Sequence, residues 1–117
     1  MHTVLIVDDS KTSRSVLRNI LVENGYEVVA EAENGQEGYD KYCEFHPDLV
    51  TLDITMPVMD GIQTLVKIKE YDSAAKVIMV TAAGQKNKML EAIKKGAAEF
   101  VTKPFETNQI ISIIESI

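Results

Sequence analysis

Five short apolar runs punctuate the chain, beginning near residues 4, 28, 49, 77 and 99, and a helix-length segment follows each. Strand-length runs alternating with helix-length segments indicate βα units rather than a meander or a bundle. Val4-Leu5-Ile6-Val7, Leu49-Val50-Thr51-Leu52 and Val77-Ile78-Met79-Val80 are almost continuously apolar instead of alternating. Such runs suit strands covered on both faces, and so a parallel sheet. Right-handed crossovers then leave an α/β, doubly wound, five-stranded sheet with helices on both faces.

The segments between the runs carry start and stop signals. After Asp9, residues Val16, Leu17, Ile20 and Leu21 form an apolar stripe, and Gly25 is placed to end that helix in a left-handed conformation. Asn34, with Glu37 three residues later, predicts a capping box at the start of a second helix. Pro47 predicts its end by His46, because proline disfavours helical geometry in the residue before it. Tyr39, Tyr42, Cys43 and Phe45 read as its buried side. Asp60 is placed to cap a third helix bearing Ile62, Leu65, Val66 and Ile68. A fourth carries Met89, Leu90 and Ile93 and ends at Gly96. The last begins near Thr107, with Ile110, Ile113, Ile114 and Ile117 at the i, i+3, i+4, i+7 spacing.

Composition narrows the function classes. A chain of 117 residues is one domain by length, spanning residues 1–117, and no linker or low-complexity tract divides it. The formal net charge of −6 weighs against direct binding to nucleic acid or to an anionic membrane surface. No apolar stretch approaches the ~20 residues that cross a bilayer, and no signal-peptide pattern opens the chain. Cys43 is the single cysteine, so no internal disulfide can form and a reducing compartment is expected. The expectation is a cytoplasmic protein.

The ends of four runs carry the candidate chemistry. The first leads into Asp8 and Asp9, the third into Asp53, the fourth into Thr81, and the fifth into Lys103 and Pro104. In parallel strands these residues converge on the carboxyl edge of the sheet, where open α/β folds bind ligands. Two carboxylates about 4 Å apart repel by roughly 4 kcal/mol at an effective dielectric near 20, so three at one edge call for a cation. Magnesium suits them, since it prefers oxygen donors and is held by carboxylates together with phosphate oxygens. Lys103 adds a long-armed positive charge able to reach a phosphoryl oxygen, and Thr81 adds a hydroxyl donor. His2 and His46 lie apart from this cluster in sequence, which speaks against a phosphohistidine role.

Taken together, Val4-Leu5-Ile6-Val7-Asp8-Asp9, Asp53 with Met56-Pro57 and Asp60-Gly61, Thr81-Ala82, and Lys103-Pro104-Phe105 resemble the receiver domain of two-component response regulators. The resemblance runs from Val4 to the last helix and is nearest in form to the stand-alone chemotaxis regulators. It brings the flavodoxin-like strand order 2-1-3-4-5, which the hydrophobic pattern does not supply. It implies that Asp53 accepts a phosphoryl group from a sensor histidine kinase. It implies Mg²⁺ held by Asp8, Asp9, Asp53 and the Thr55 backbone carbonyl, with Lys103 and Thr81 on the phosphoryl oxygens. It implies a switch through Thr81 and Phe100 that alters a surface formed by the fourth helix, fifth strand and fifth helix. Met89, Phe100, Thr102 and Ile113 would lie on that surface.

The partners implied are the kinase and an output protein, such as a flagellar motor switch component or a phosphatase. Five isoleucines in the last helix exceed one core stripe, which fits a partner surface or a weak dimer of an otherwise monomeric protein. Phe100 stands where chemotaxis members carry tyrosine, so its position can be read only through packing. Thr55 and Ala83 occupy the positions that flank the hydrolytic water in this family. Neither is acidic or amide-bearing, and a long-lived acyl phosphate is expected. A receiver portion of a longer transcriptional regulator remains an alternative. So does a Mg²⁺-dependent aspartyl-phosphate phosphatase, although Thr55 stands where such enzymes place a second aspartate as general acid. A flavin binder of the same fold is less suited, because Asp8-Asp9 would face its phosphate.

Overall fold

The apolar runs fold as β1 (Thr3–Val7), β2 (Glu27–Ala32), β3 (Leu49–Asp53), β4 (Val77–Thr81) and β5 (Glu99–Thr102). The segments after them form α1 (Lys11–Glu23), α2 (Gly35–Phe45), α3 (Gly61–Tyr71), α4 (Lys86–Lys94) and α5 (Thr107–Ser116). The computed structural model describes residues 2–82 and 84–117. All strands are parallel, in the order β2-β1-β3-β4-β5. The doubly wound sheet and its expected strand order are both present. No helix of the described residues is long and apolar enough to cross a membrane.

Side-chain alternation along the strands divides the core into two. Leu5, Val7, Val50, Leu52, Val77 and Met79 face α2, α3 and α4, meeting Tyr42, Leu65, Ile68 and Ala92. Val4, Ile6, Leu49, Ile78, Val80 and Val101 face α1 and α5, meeting Leu17, Leu21, Ile110 and Ile114. By the period of two, Thr51 shares the face of Leu49. Its buried hydroxyl has no hydrogen-bond partner among the described residues.

The helix signals are largely met: Val16 of the expected α1 stripe is exposed, only half of the box at Asn34 forms, and two helix faces are exceptions. Ser10 caps α1 by accepting from the Ser13 N–H, and Gly25 beyond its end has φ +88°. The Asn34 side chain accepts from the Glu37 N–H at 2.8 Å, which is the first half of the expected box. At α3 the box is complete, between Asp60 and Gln63. The first exception is the buried side of α2, which is Gly35, Gly38 and Tyr42, while Cys43 is half-buried and Phe45 is exposed. Gly38 explains this, because a Cβ there would lie 2.8 Å from Val7 Cγ1. The helix is seated on its glycine face, which turns Phe45 outward. The second exception is α4, where Leu90 and Ile93 are exposed and contact with the core is made by Ala92 and half-buried Met89.

The loop between β3 and α3 is fixed by a close backbone approach. The Gly61 N–H donates to the Ile54 carbonyl at 2.7 Å. A Cβ on Gly61 would collide with the Asp53 carbonyl oxygen and stand 2.6 Å from Ile54 Cα. Backbone cannot rotate away as a flexible side chain can, so Gly61→Ala is expected to lose about 2–3 kcal/mol in urea unfolding. Gly25→Ala meets no atom within 4 Å. It should lose only about 1 kcal/mol, from its positive φ. Equal losses would remove the steric account. In the core, Thr51→Val should raise stability by roughly 1 kcal/mol, because it deletes a desolvated hydroxyl with no partner. A loss of stability would reveal a partner for that hydroxyl.

Candidate functional site

Strand register assembles the site. Val7 pairs with Leu52, so the next residues of the two central strands, Asp8 and Asp53, fall side by side. Asp53 pairs with Val80, one residue before Thr81, and Thr81 pairs with Thr102, one residue before Lys103. The four strand ends therefore share one edge, because parallel strands in near-even register all stop together.

The acidic residues meet there. Asp8, Asp9 and Asp53 each offer a carboxylate oxygen, all within 4.8 Å of one another. Asp8 and Asp53 are buried and Asp9 is exposed. Lys103 reaches across from β5, with Nζ 2.9 Å from Asp8 Oδ2 and 3.6 Å from Asp53 Oδ2. The Lys103–Pro104 peptide bond that follows is cis. Asp8 also accepts from the Ser10 N–H at 2.8 Å, and its backbone carbonyl accepts from the Arg14 guanidinium at 2.6 Å. Arg14 is held in turn by Glu31 at 3.2 Å.

Charge crowding leaves its mark on Asp53. Burial, then the neighbouring Asp8 carboxylate, push its pKa up to about 6, against the opposing pull of Lys103 and a hydrogen bond from the Thr55 backbone. Burial alone would pull the Lys103 ammonium down. Its hydrogen bond to Asp8 and the charge of Asp53 outweigh that, and its pKa is raised. One ammonium faces three carboxylates, so the cluster stays under-neutralised. Clustered hard oxygen donors with residual negative charge fit a divalent cation such as magnesium.

Thr81 is at the same edge but is fully buried, and its hydroxyl is turned to other partners. It lies 2.9 Å from the Ala82 carbonyl and 2.7 Å from Gln85 Oε1. Gln85 Nε2 donates to the Thr55 hydroxyl at 2.7 Å. The sequence pattern does not reveal this bridge: positions 55 and 83 carry no side-chain amide, and the one that reaches Thr55 comes from position 85. Ala83 itself lies outside the described residues. No local pattern marks Arg14 either, although its guanidinium reaches the Asp8 carbonyl. Met89, Phe100, Thr102 and Ile113 are all half-buried, and Met89 and Phe100 pack against the α2–α3–α4 core.

A cavity of about 460 Å³ lies elsewhere. It is lined by His2, Tyr42, His46, Asp48, Asp72 and Lys76, at the opposite end of the strands. His46 stacks on Tyr71 and hydrogen-bonds its hydroxyl at 2.7 Å. The histidines are thus remote from the carboxylates, as their sequence positions implied.

The metal-free cluster should cost stability in a pH-dependent way. A carboxyl at about 6 in the folded chain and 3.8 otherwise holds its proton more tightly when folded. Its stabilising contribution is complete below the lower value and is lost as pH rises through the upper one. At neutral pH, ionised Asp53 should therefore destabilise the protein by roughly 3 kcal/mol. Asp53→Asn should exceed wild type by that amount in metal-free urea unfolding at pH 7.5, with the gap closing towards pH 4. A gap independent of pH would show that crowding is not its source.

Comparison with known proteins gives a consistent result. The response regulator receiver domain family matches residues 4–115. The chain is 50% identical to the chemotaxis protein CheY of Bacillus subtilis over 113 residues, covering 97% of this chain and 94% of that protein. It is 45% identical to CheY of Thermotoga maritima, covering 97% and 95%. Among solved structures, it superposes with a TM-score of 0.94 and 38% identity on a chain of the CheX–CheY–BeF3–Mg²⁺ complex from Borrelia burgdorferi, covering 98% of this chain and 87% of that one.

Proposed function

Because the chain belongs to the response regulator receiver family, we propose that it is a phosphorylation-dependent switch that accepts a phosphoryl group on Asp53 and acts in chemotaxis. The observation that carries this is Lys103 Nζ lying between Asp8 and Asp53, at 2.9 and 3.6 Å, with Asp9 completing the acidic cluster. Identity of 50% and 45% to two chemotaxis proteins supports that setting. Thr55 at the second position after Asp53 gives no general acid, which weighs against a phosphatase.

Asp53 is the nucleophile. Its raised pKa leaves it ionised at neutral pH but more basic than a free aspartate, which favours attack. A carboxylate oxygen bonds to phosphorus of a phosphohistidine, the P–N bond breaks, and its electron pair leaves with the imidazole. Lys103 is placed to pair with the oxygens of the transferred group, since it already reaches Asp53. Phosphoryl transfer needs mainly positioning and charge neutralisation, which these side chains provide. Magnesium, held by Asp8, Asp9, Asp53 and the Thr55 carbonyl, supplies further neutralisation of phosphoryl oxygens when bound. Thr81 then gives its hydroxyl to the phosphoryl group, and Phe100 packs inward behind it. The surface of α4, β5 and α5 changes, including Met89, Phe100, Thr102 and Ile113. The partners on this reading are a sensor histidine kinase and an output protein of the chemotaxis apparatus, and the protein works as a monomer or weak dimer in the cytoplasm.

Incubation with acetyl phosphate and Mg²⁺, followed by intact-mass measurement, should give a single phosphoryl adduct. Asp53→Asn or a chelator should abolish it, and Lys103→Ala should reduce it by at least tenfold. An adduct that survives Asp53→Asn would place the acceptor elsewhere. Turnover of a phosphate ester without any adduct would favour the phosphatase.

A further inference from the structure

Gln85 is the N-cap residue of α4, yet its side chain makes no capping hydrogen bond. Glutamine lies outside the residue types preferred at that position, so helix capping does not explain it. The side chain instead reaches back across the site. Its Oε1 accepts from the Thr81 hydroxyl at 2.7 Å and from the Ala82 N–H at 3.1 Å, while Nε2 donates to Thr55 Oγ1 at 2.7 Å. The orientation of the amide is determined, because only its oxygen can accept from the Ala82 N–H.

The two ends of this bridge are chemically significant. Thr55 lies two residues beyond Asp53, in the loop that leaves β3. Thr81 is 0% exposed and cannot turn to water when it leaves a partner. Its single proton goes either to Gln85 or to the Ala82 carbonyl, both within the β4–α4 connection. For the hydroxyl to reach a group on Asp53, it must exchange one protein acceptor for the phosphoryl oxygen.

We propose that Gln85 is the positioning residue that couples the phosphoacceptor to α4. It straps the Thr81 hydroxyl to the first residue of the helix, and release of that strap loosens the first turn of α4 when Thr81 turns to the phosphoryl group. The strap rests on the reading of Asp53 as acceptor and Thr81 as phosphoryl donor. It adds the residue that sets how readily the switch throws and the route by which α4 receives it. Leu90 and Ile93, exposed on that helix, lie one and two turns further along it.

Beryllofluoride with Mg²⁺ is the probe, read by affinity and by hydrogen exchange at the amides of residues 86–89. Gln85→Met keeps side-chain length and removes both polar ends, and thermal melting checks that it folds. It should bind the probe about threefold to tenfold more tightly, the weight of one net hydrogen bond. Without the probe, its first α4 turn should already exchange as fast as the wild type does with beryllofluoride bound. Both effects should vanish in a Thr81→Val background. Gln85→Glu keeps the acceptor, so it should show no tightening. Wild-type affinity and exchange in Gln85→Met, the same gain without the Thr81 hydroxyl, or tightening in Gln85→Glu would each overturn the strap. A wild type that does not bind beryllofluoride would sink the acceptor reading as well, so the two failures are distinguishable.

Discussion

Repulsion among Asp8, Asp9 and Asp53 governs the arrangement of this end of the molecule. Their oxygens lie within 4.8 Å, and two of the three residues are buried, so water screens them poorly. Beside the central strands that carry them, the Ser10 N–H offers Asp8 a dipole in compensation. A full positive charge comes from Lys103, beyond the end of β5, at the sheet edge. The acidic centre is thereby tied to the far edge of the sheet. Any charge added at Asp53 must be felt at Lys103, and so at the turn leading into α5.

Much of this was legible in the sequence because of where strands stop. Asp8, Asp53, Thr81 and Lys103 are each the last residue of an apolar run or the first after it, and parallel register converts that position into proximity. The strand order was not legible from periodicity, since any doubly wound sheet would alternate in the same way. It came with the family. Periodicity also failed to choose between adjacent stripes of a helix. On α2 and α4 the closest contacts are made by Gly38 and Ala92, which let the backbone approach, while Phe45, Leu90 and Ile93 turn outward. A hydrophobic pattern weights large residues, whereas close packing selected small ones. Gln85 and Arg14 escaped for another reason. They act by reaching back from a helix start with a long side chain, and no local pattern records such a reach.

The site is an open strand edge, while a cavity of about 460 Å³ lies at the other end of the strands among His46, Tyr42 and Asp72. A pocket selects a free substrate by enclosing it. On the proposed reading, an open edge bearing the acceptor suits a phosphoryl group presented on another protein, whose surface supplies the remaining walls. On that reading, specificity belongs to the docking faces around the edge, and the carboxylate cluster need not differ between phosphoryl donors.

The nature of Phe100 constrains what such a switch can report. A tyrosine hydroxyl could pass a hydrogen bond to a partner, but phenylalanine can alter only shape and apolar area. Phe100 and Met89 are half-buried and pack on the same core as Ala92, on the inner side of α4. Leu90 and Ile93 occupy its outer side, 54% and 41% exposed. The helix is therefore held by few contacts on one side and carries apolar area on the other. Burial is worth only about 25 cal/mol per Å², so exchanging some tens of Å² between the two sides changes the balance by roughly 1 kcal/mol. That is comparable to a single net hydrogen bond such as the one between Thr81 and Gln85. A helix poised at this level can be moved by one hydroxyl changing its acceptor. On the proposed reading, its signal is the arrangement of Leu90, Ile93 and Phe100 as a packing surface.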